Sequence, residues 1–81
     1  MKVRVRMFAA LREVVGENEL ELELPPGATV EDLWNRLASE DERLWPYESS
    51  INFALNHDFV ARDTELSPGD EVAFLPPVSG G

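Results

Sequence analysis

The last six residues, PPVSGG from Pro76 to Gly81, are the part of the chain best suited to chemistry. Two prolines stiffen the backbone directly after an apolar strand pattern, so the residues beyond them project from a fixed point. Six extended residues reach roughly 20 Å, enough to enter the active site of another protein. Gly80 and Gly81 have no side chains and fit a narrow channel. The segment is a chemical handle or an ordinary frayed terminus, and spacing alone leaves both interpretations open.

The remaining residues offer little material for an active site. The absence of cysteine excludes disulfides, thiolate zinc sites and a thiol nucleophile. The only histidine, His57, lies in the segment NHD and is best explained as a surface residue of a turn. The many carboxylates alternate with leucines at 19–24 or lie in a polar segment at 40–42, as in a solvated surface. We therefore expect no metal ion and no bound cofactor.

Composition limits the class of protein. A chain of 81 residues forms one domain with a modest core. Its formal charge of -9 argues against nucleic acid and anionic membranes as partners and favours a basic protein. The N-terminal segment alternates charged and apolar residues and lacks the apolar run of a signal peptide, so we expect a cytoplasmic protein.

Apolar periodicity predicts the elements that position the terminus. The main helix starts at Thr29, which can form a capping box with Asp32, and a short helical segment ends at Gly16. The segment 39–50, interrupted by Pro46, is predicted to be a connecting loop with Leu44, Trp45 or Tyr47 packed beneath it. Strands are predicted at 2–8, 19–24, 51–55, 59–61 and 71–75.

This order predicts an α+β roll in which one main helix covers one face of a mixed sheet. If the first and last strands lie side by side and parallel in the centre, Phe8 and Leu75 emerge at the same end. Strand parity places both on the uncovered face. The pair is therefore a candidate binding patch, although Phe8 could also be an ordinary core residue.

Three segments together resemble the family of molybdopterin synthase small subunits, which are ubiquitin-like sulfur carriers. They are MFAALREVVG at 7–16, ALNHDFVARDTELSPGDEVAFLPP at 54–77 and LSPGDEVAFLPPVSGG at 66–81. The likeness extends essentially from end to end, and GDEVAFLPPVSGG is its most specific part. It implies a β-grasp (ubiquitin-like) domain over residues 1–75 and a flexible tail at 76–81.

The resemblance also implies a chemical cycle. An ATP-dependent enzyme adenylates the terminal carboxylate of Gly81, and a sulfur donor converts it to a thiocarboxylate. The tail, including Ser79 and Gly80, then enters the large synthase subunit within a heterotetramer. There the sulfur passes to cyclic pyranopterin monophosphate, and two carrier tails serve each product. The chain would be a sulfur-donating subunit that is inactive without its large subunit.

The partner-binding residues expected from this cycle surround the base of the tail. They are Phe8, Arg12 at the rim, Phe59, Leu75, Pro76 and Pro77. Two alternatives remain: a carrier for another sulfur product, such as the thiamine thiazole or a thiolated tRNA, and a ubiquitin-like protein modifier or adaptor.

Overall fold

The computed structural model describes residues 1–77, whose strands and helices follow the apolar periodicity of the sequence. The segments that alternate apolar and polar residues are strands, and the segment with apolar residues at helical spacing is the main helix. In chain order the elements are β1 Lys2–Met7, α1 Ala9–Val15, β2 Glu19–Glu23, α2 Val30–Glu40, a 3-10 helix Glu42–Tyr47, β3 Asn52–Leu55, β4 Asp58–Val60 and β5 Glu71–Leu75.

The described strands form one mixed sheet in the order β2-β1-β5-β3-β4. The neighbouring strands β1 and β5 are parallel, and the other pairs are antiparallel. On β1, Val3, Val5 and Met7 are buried and the residues between them are exposed, as the alternation predicted. Leu20 and Leu22 of the edge strand β2 are only half-buried, because that strand has a neighbour on one side only.

Helix α2 covers one face of the sheet and begins with the predicted capping box. The Thr29 hydroxyl accepts from the Asp32 amide at 3.2 Å, and the Asp32 carboxylate accepts from the Thr29 amide at 2.9 Å. Trp34 is fully buried, and its indole packs edge-on against Phe53 and Phe74. This aromatic cluster joins the helix to β3 and β5.

The segment between α2 and β3 corrects one prediction. It is a 3-10 helix, not an irregular loop, and Pro46 lies inside it. Because a 3-10 turn bonds residues three apart and this segment is short, one proline is tolerated there. Leu44 is fully buried and Tyr47 half-buried as expected, whereas Trp45 is exposed and donates its indole N–H to the Ala38 carbonyl at 2.9 Å.

The layers agree with the fold class expected from the sequence. A mixed sheet carries its main helix on one face, and the central pair of strands joins the start of the chain to the end of the described residues. The α+β, β-grasp roll is therefore confirmed. No helix in residues 1–77 is both long and apolar enough to cross a membrane.

Candidate functional site

The face of the sheet opposite α2 contains an apolar hollow of about 220 Å³, here called the docking hollow. Strand parity creates it, because Val72 and Phe74 of β5 point to the core while Ala73 and Leu75 point to the other face. The same parity on β1 places Phe8 on this face, one residue beyond the Met7–Phe74 pair. The lining residues are Arg6, Phe8, Ala54, His57, Phe59, Glu71, Ala73 and Leu75.

Two aromatic rings in the docking hollow remain open to solvent. Phe8 is 37% exposed and Phe59 is 76% exposed. Phe59 lies opposite Ala54 in the β3–β4 register, so its ring stands on the uncovered face. Clustered exposure of large apolar side chains marks interaction surfaces in soluble proteins. The structure thus brings together Phe8, Phe59 and Leu75, which were predicted from the sequence to bind a partner.

Charged groups at the edge of the docking hollow pair with one another. The Arg6 guanidinium lies 5.4 Å from the centre of the Phe8 ring and 3.8 Å from the Glu71 carboxylate. Arg4 approaches the same carboxylate at 3.5 Å. Because Glu71 is engaged by two arginines, this arrangement suits a binding surface better than general acid–base catalysis.

The other predicted site residues divide into three groups. Pro76 is half-buried and Pro77 exposed, and both follow β5 directly at the position where Leu75 lines the docking hollow. Arg12 is exposed on α1 and is absent from the lining residues, so the structure does not bring it into the hollow. Ser79, Gly80 and Gly81 lie outside the described residues.

His57 belongs to the docking hollow, although the sequence suggested only a turn residue. The turn is present: Asn56 and His57 have φ values of 49° and 79° and join β3 to β4. His57 also lines the hollow, as Phe59 does. The sequence did contain a signal for this position of His57. A two-residue turn holds its flanking strands side by side, and Phe59, which was expected to bind the partner, is only two residues after His57.

The clear pKa shifts concern groups outside the docking hollow. The pKa of Glu48 lies below its usual range, first because its carboxylate accepts the Trp34 indole N–H at 2.7 Å and also because it pairs with Arg62. The pKa of Asp41 is lowered by hydrogen bonds from Arg43. Within residues 1–77, no group of three or more histidine or carboxylate side chains is arranged to hold a metal ion.

Comparison with known proteins identifies the family to which the chain belongs. The model of the ThiS family matches residues 5–81. A relative from Chlamydomonas reinhardtii, named molybdopterin synthase sulfur carrier subunit, is 43% identical, with both chains covered completely.

Solved structures agree with the sequence comparison. A putative molybdopterin converting factor subunit 1 from Pyrococcus furiosus is similar with a TM-score of 0.86 and 37% identity, covering 96% of this chain and 99% of that one. A chain in the protein–protein complex of subunits 1 and 2 of molybdopterin-converting factor from Helicobacter pylori is similar with a TM-score of 0.71 and 28% identity over both whole chains. The chain described here therefore belongs to the ThiS family, alongside the molybdopterin synthase sulfur carrier subunits.

Proposed function

We propose that this chain is the sulfur carrier subunit of molybdopterin synthase. Its Gly81 carboxylate becomes a thiocarboxylate that donates sulfur to cyclic pyranopterin monophosphate. The observation that carries the proposal is the path of the chain, since β5 ends at Leu75 in an exposed apolar hollow and the sequence then reaches Gly81 in six residues. Full-length similarity to a relative named as such a carrier supports it.

The chemistry divides between the carrier and its partners. A carboxylate oxygen is a poor leaving group, so an ATP-dependent enzyme first converts the Gly81 carboxylate to an acyl adenylate. The outer sulfur of a persulfide-type donor then attacks the acyl adenylate and displaces AMP, which gives an acyl disulfide. A thiol reduces this acyl disulfide, so the thiocarboxylate is released and the thiol and the donor sulfur remain joined as a disulfide. The thiocarboxylate is itself a soft nucleophile, so the carrier needs no base of its own. In this proposal ATP is a substrate of the activating enzyme and the carrier holds no cofactor.

The docking hollow is the surface that we assign to the large synthase subunit. It is apolar, exposed and adjacent to the start of the tail, so docking there fixes the origin of a reactive arm. The four residues beyond Pro77 reach roughly 13 Å when extended, which sets the depth of pocket they can enter. The protein–protein complex of subunits 1 and 2 of molybdopterin-converting factor from Helicobacter pylori supports a partner of this kind. We propose that this chain and its large subunit assemble as a heterotetramer.

The activating enzyme is expected to use the same surface, so the two partners alternate on it. Because each product takes two sulfur atoms, two charged carriers give up their sulfur per molybdopterin and return to the carboxylate form. As part of the proposal, this cycle takes place in the cytoplasm, where ATP is available to the activating enzyme.

Intact mass spectrometry tests the proposal directly. The chain is incubated with its activating enzyme, ATP and a sulfur donor, and a variant lacking Gly81 serves as the control. The expected result is a C-terminal fragment in which one oxygen has been exchanged for sulfur, followed by loss of that sulfur on adding the large subunit and cyclic pyranopterin monophosphate. A C-terminus that stays a carboxylate, or that becomes joined to a lysine of another protein, would favour the modifier function instead.

A further inference from the structure

We propose that His57 is a specificity-determining residue of the docking hollow, where its imidazole forms a hydrogen bond with a polar group of the large synthase subunit. The inference rests on the proposed function, because it names a contact made when that partner covers the hollow. It goes beyond the apolar surface described above, since it assigns a directional polar contact to one side chain.

The first observation is that His57 occupies a backbone conformation better suited to glycine. Its φ of 79° lies in the left-handed region, and it is the second residue of a two-residue hairpin turn. Turns with two positive φ values favour Asn-Gly, and this turn has Asn at the first position but His at the second. A side chain other than glycine in this region of φ, at a proposed binding surface, motivates the hypothesis that the side chain is used there.

The second observation is that the turn is anchored, which fixes the position from which the imidazole extends. The Asn56 amide donates to the Glu71 carbonyl at 2.9 Å, and the Glu71 amide donates to the Asn56 side-chain oxygen at 3.1 Å. The Asn56 side-chain amide also donates to Asp70 at 3.1 Å. The hairpin is thereby tied to β5, so little backbone freedom is lost when a partner contacts His57.

The third observation concerns hydrogen bonding inside the docking hollow. The charged lining groups Arg6 and Glu71 pair with each other. A neutral imidazole carries one donor and one acceptor, and among residues 1–77 the ring of His57 has neither a hydrogen-bond partner nor an ion-pair partner. Covering these nitrogens with apolar surface would weaken docking. A well-matched partner therefore places a polar group at this corner.

Substitution of His57 separates this contact from the turn geometry. His57→Gly removes the imidazole and leaves the residue that the turn favours, so the variant is expected to melt at the same temperature as the wild type or higher. Its Kd for the purified large synthase subunit, measured by calorimetry, is expected to rise about three- to tenfold, the effect of one lost hydrogen bond. The control is Asn35→Ala on the exposed side of α2, which should leave Kd unchanged. Equal affinity of His57→Gly and the wild type would overturn the inference.

Nuclear magnetic resonance gives an independent readout because the chain has a single histidine. In a tag-free, isotope-labelled sample mixed with unlabelled large subunit, the imidazole signals therefore need no assignment. On saturation with the large subunit they should shift, with nitrogen frequencies that identify the hydrogen-bonded ring atom; signals that stay in place would count against the contact. If wild-type protein is charged with sulfur and docks but His57→Gly matches it, this inference alone fails. If wild-type protein neither acquires sulfur nor docks, the proposed function fails with it.

Discussion

The two exposed phenylalanines of the docking hollow should differ in how they serve folding and docking. Burial of a whole phenylalanine side chain contributes about 2 kcal/mol. Because Phe59 is 76% exposed, its ring contributes only a small part of this free energy to folding. A partner that covers the ring can gain up to about 1.5 kcal/mol of binding free energy. For Phe8, which is 37% exposed, about 0.7 kcal/mol remains for docking and the larger part already stabilises the fold.

We therefore expect Phe59→Ala to have the larger effect on binding of the large subunit, and Phe8→Ala to have the larger effect on the stability of the fold. Phe59→Ala should raise the Kd for the large synthase subunit about tenfold and hardly lower the free energy of unfolding. Phe8→Ala should raise Kd only about threefold but lower the free energy of unfolding by about 1 kcal/mol. Calorimetric titration gives the first quantity and urea unfolding the second, with Asn35→Ala as the common control.

Two results would refute this reasoning. If Phe59→Ala destabilised the fold more than Phe8→Ala did, the ring exposures would not describe the protein in solution. If both variants bound the large subunit as tightly as the wild type, the docking hollow would not be the contact surface, and the assignment of Phe8, Phe59 and Leu75 to partner binding would be wrong.

Three further predictions concern the tail, an ion pair and a helix cap. Deletion of Gly81 should abolish sulfur transfer while leaving the unfolding curve unchanged; product formation by the truncated chain would contradict the carrier function. Glu48→Gln should lower the free energy of unfolding by about 1 kcal/mol near neutral pH, since the carboxylate bonded to the Trp34 indole is partly exposed. The folded-state pKa of Glu48 is lowered, so the stabilisation from its carboxylate is present above the usual glutamate pKa near 4.5 and is lost as pH falls through the folded-state pKa. In urea unfolding, the free energies of unfolding of wild type and Glu48→Gln, plotted against pH, should therefore converge in acid. A difference between them that does not depend on pH would contradict this. Thr29→Ala should remove one capping hydrogen bond at a cost of about 1 kcal/mol, seen as a fall in Tm without a change in docking, and an unchanged Tm would show that the cap contributes nothing.

Strand parity explains why so much of the docking hollow could be predicted from the sequence. Alternation along β1 and β5 decides which face each side chain occupies, and only the parallel pairing of the two strands had to be assumed to place Phe8 beside Leu75. The capping residues Thr29 and Asp32 likewise fixed the start of α2, because their interaction is local in sequence.

Features that depend on the surroundings of a helix, strand or turn were harder to predict from the sequence. A turn at 56–58 was predicted, but the position of His57 at the docking hollow also depends on β5, which is distant in sequence. The segment from Glu42 to Tyr47 was predicted as a loop because Pro46 discourages an α-helix, whereas a short 3-10 helix accepts it. The half-burial of Leu20 and Leu22 follows from the edge position of β2, which alternation alone does not reveal.

The parallel pairing of β1 with β5 also has a consequence for the biosynthesis of the protein. Arg4 pairs with Glu71 and Met7 with Phe74, so the centre of the sheet joins segments separated by almost the entire described chain. Closure of such a long loop precedes any gain from the contact, which slows folding and delays it until β5 has been synthesised. A nascent chain that ends before β5 lacks both the centre of its sheet and the floor of the docking hollow. Unfinished chains are therefore not expected to compete with complete carriers for the synthase.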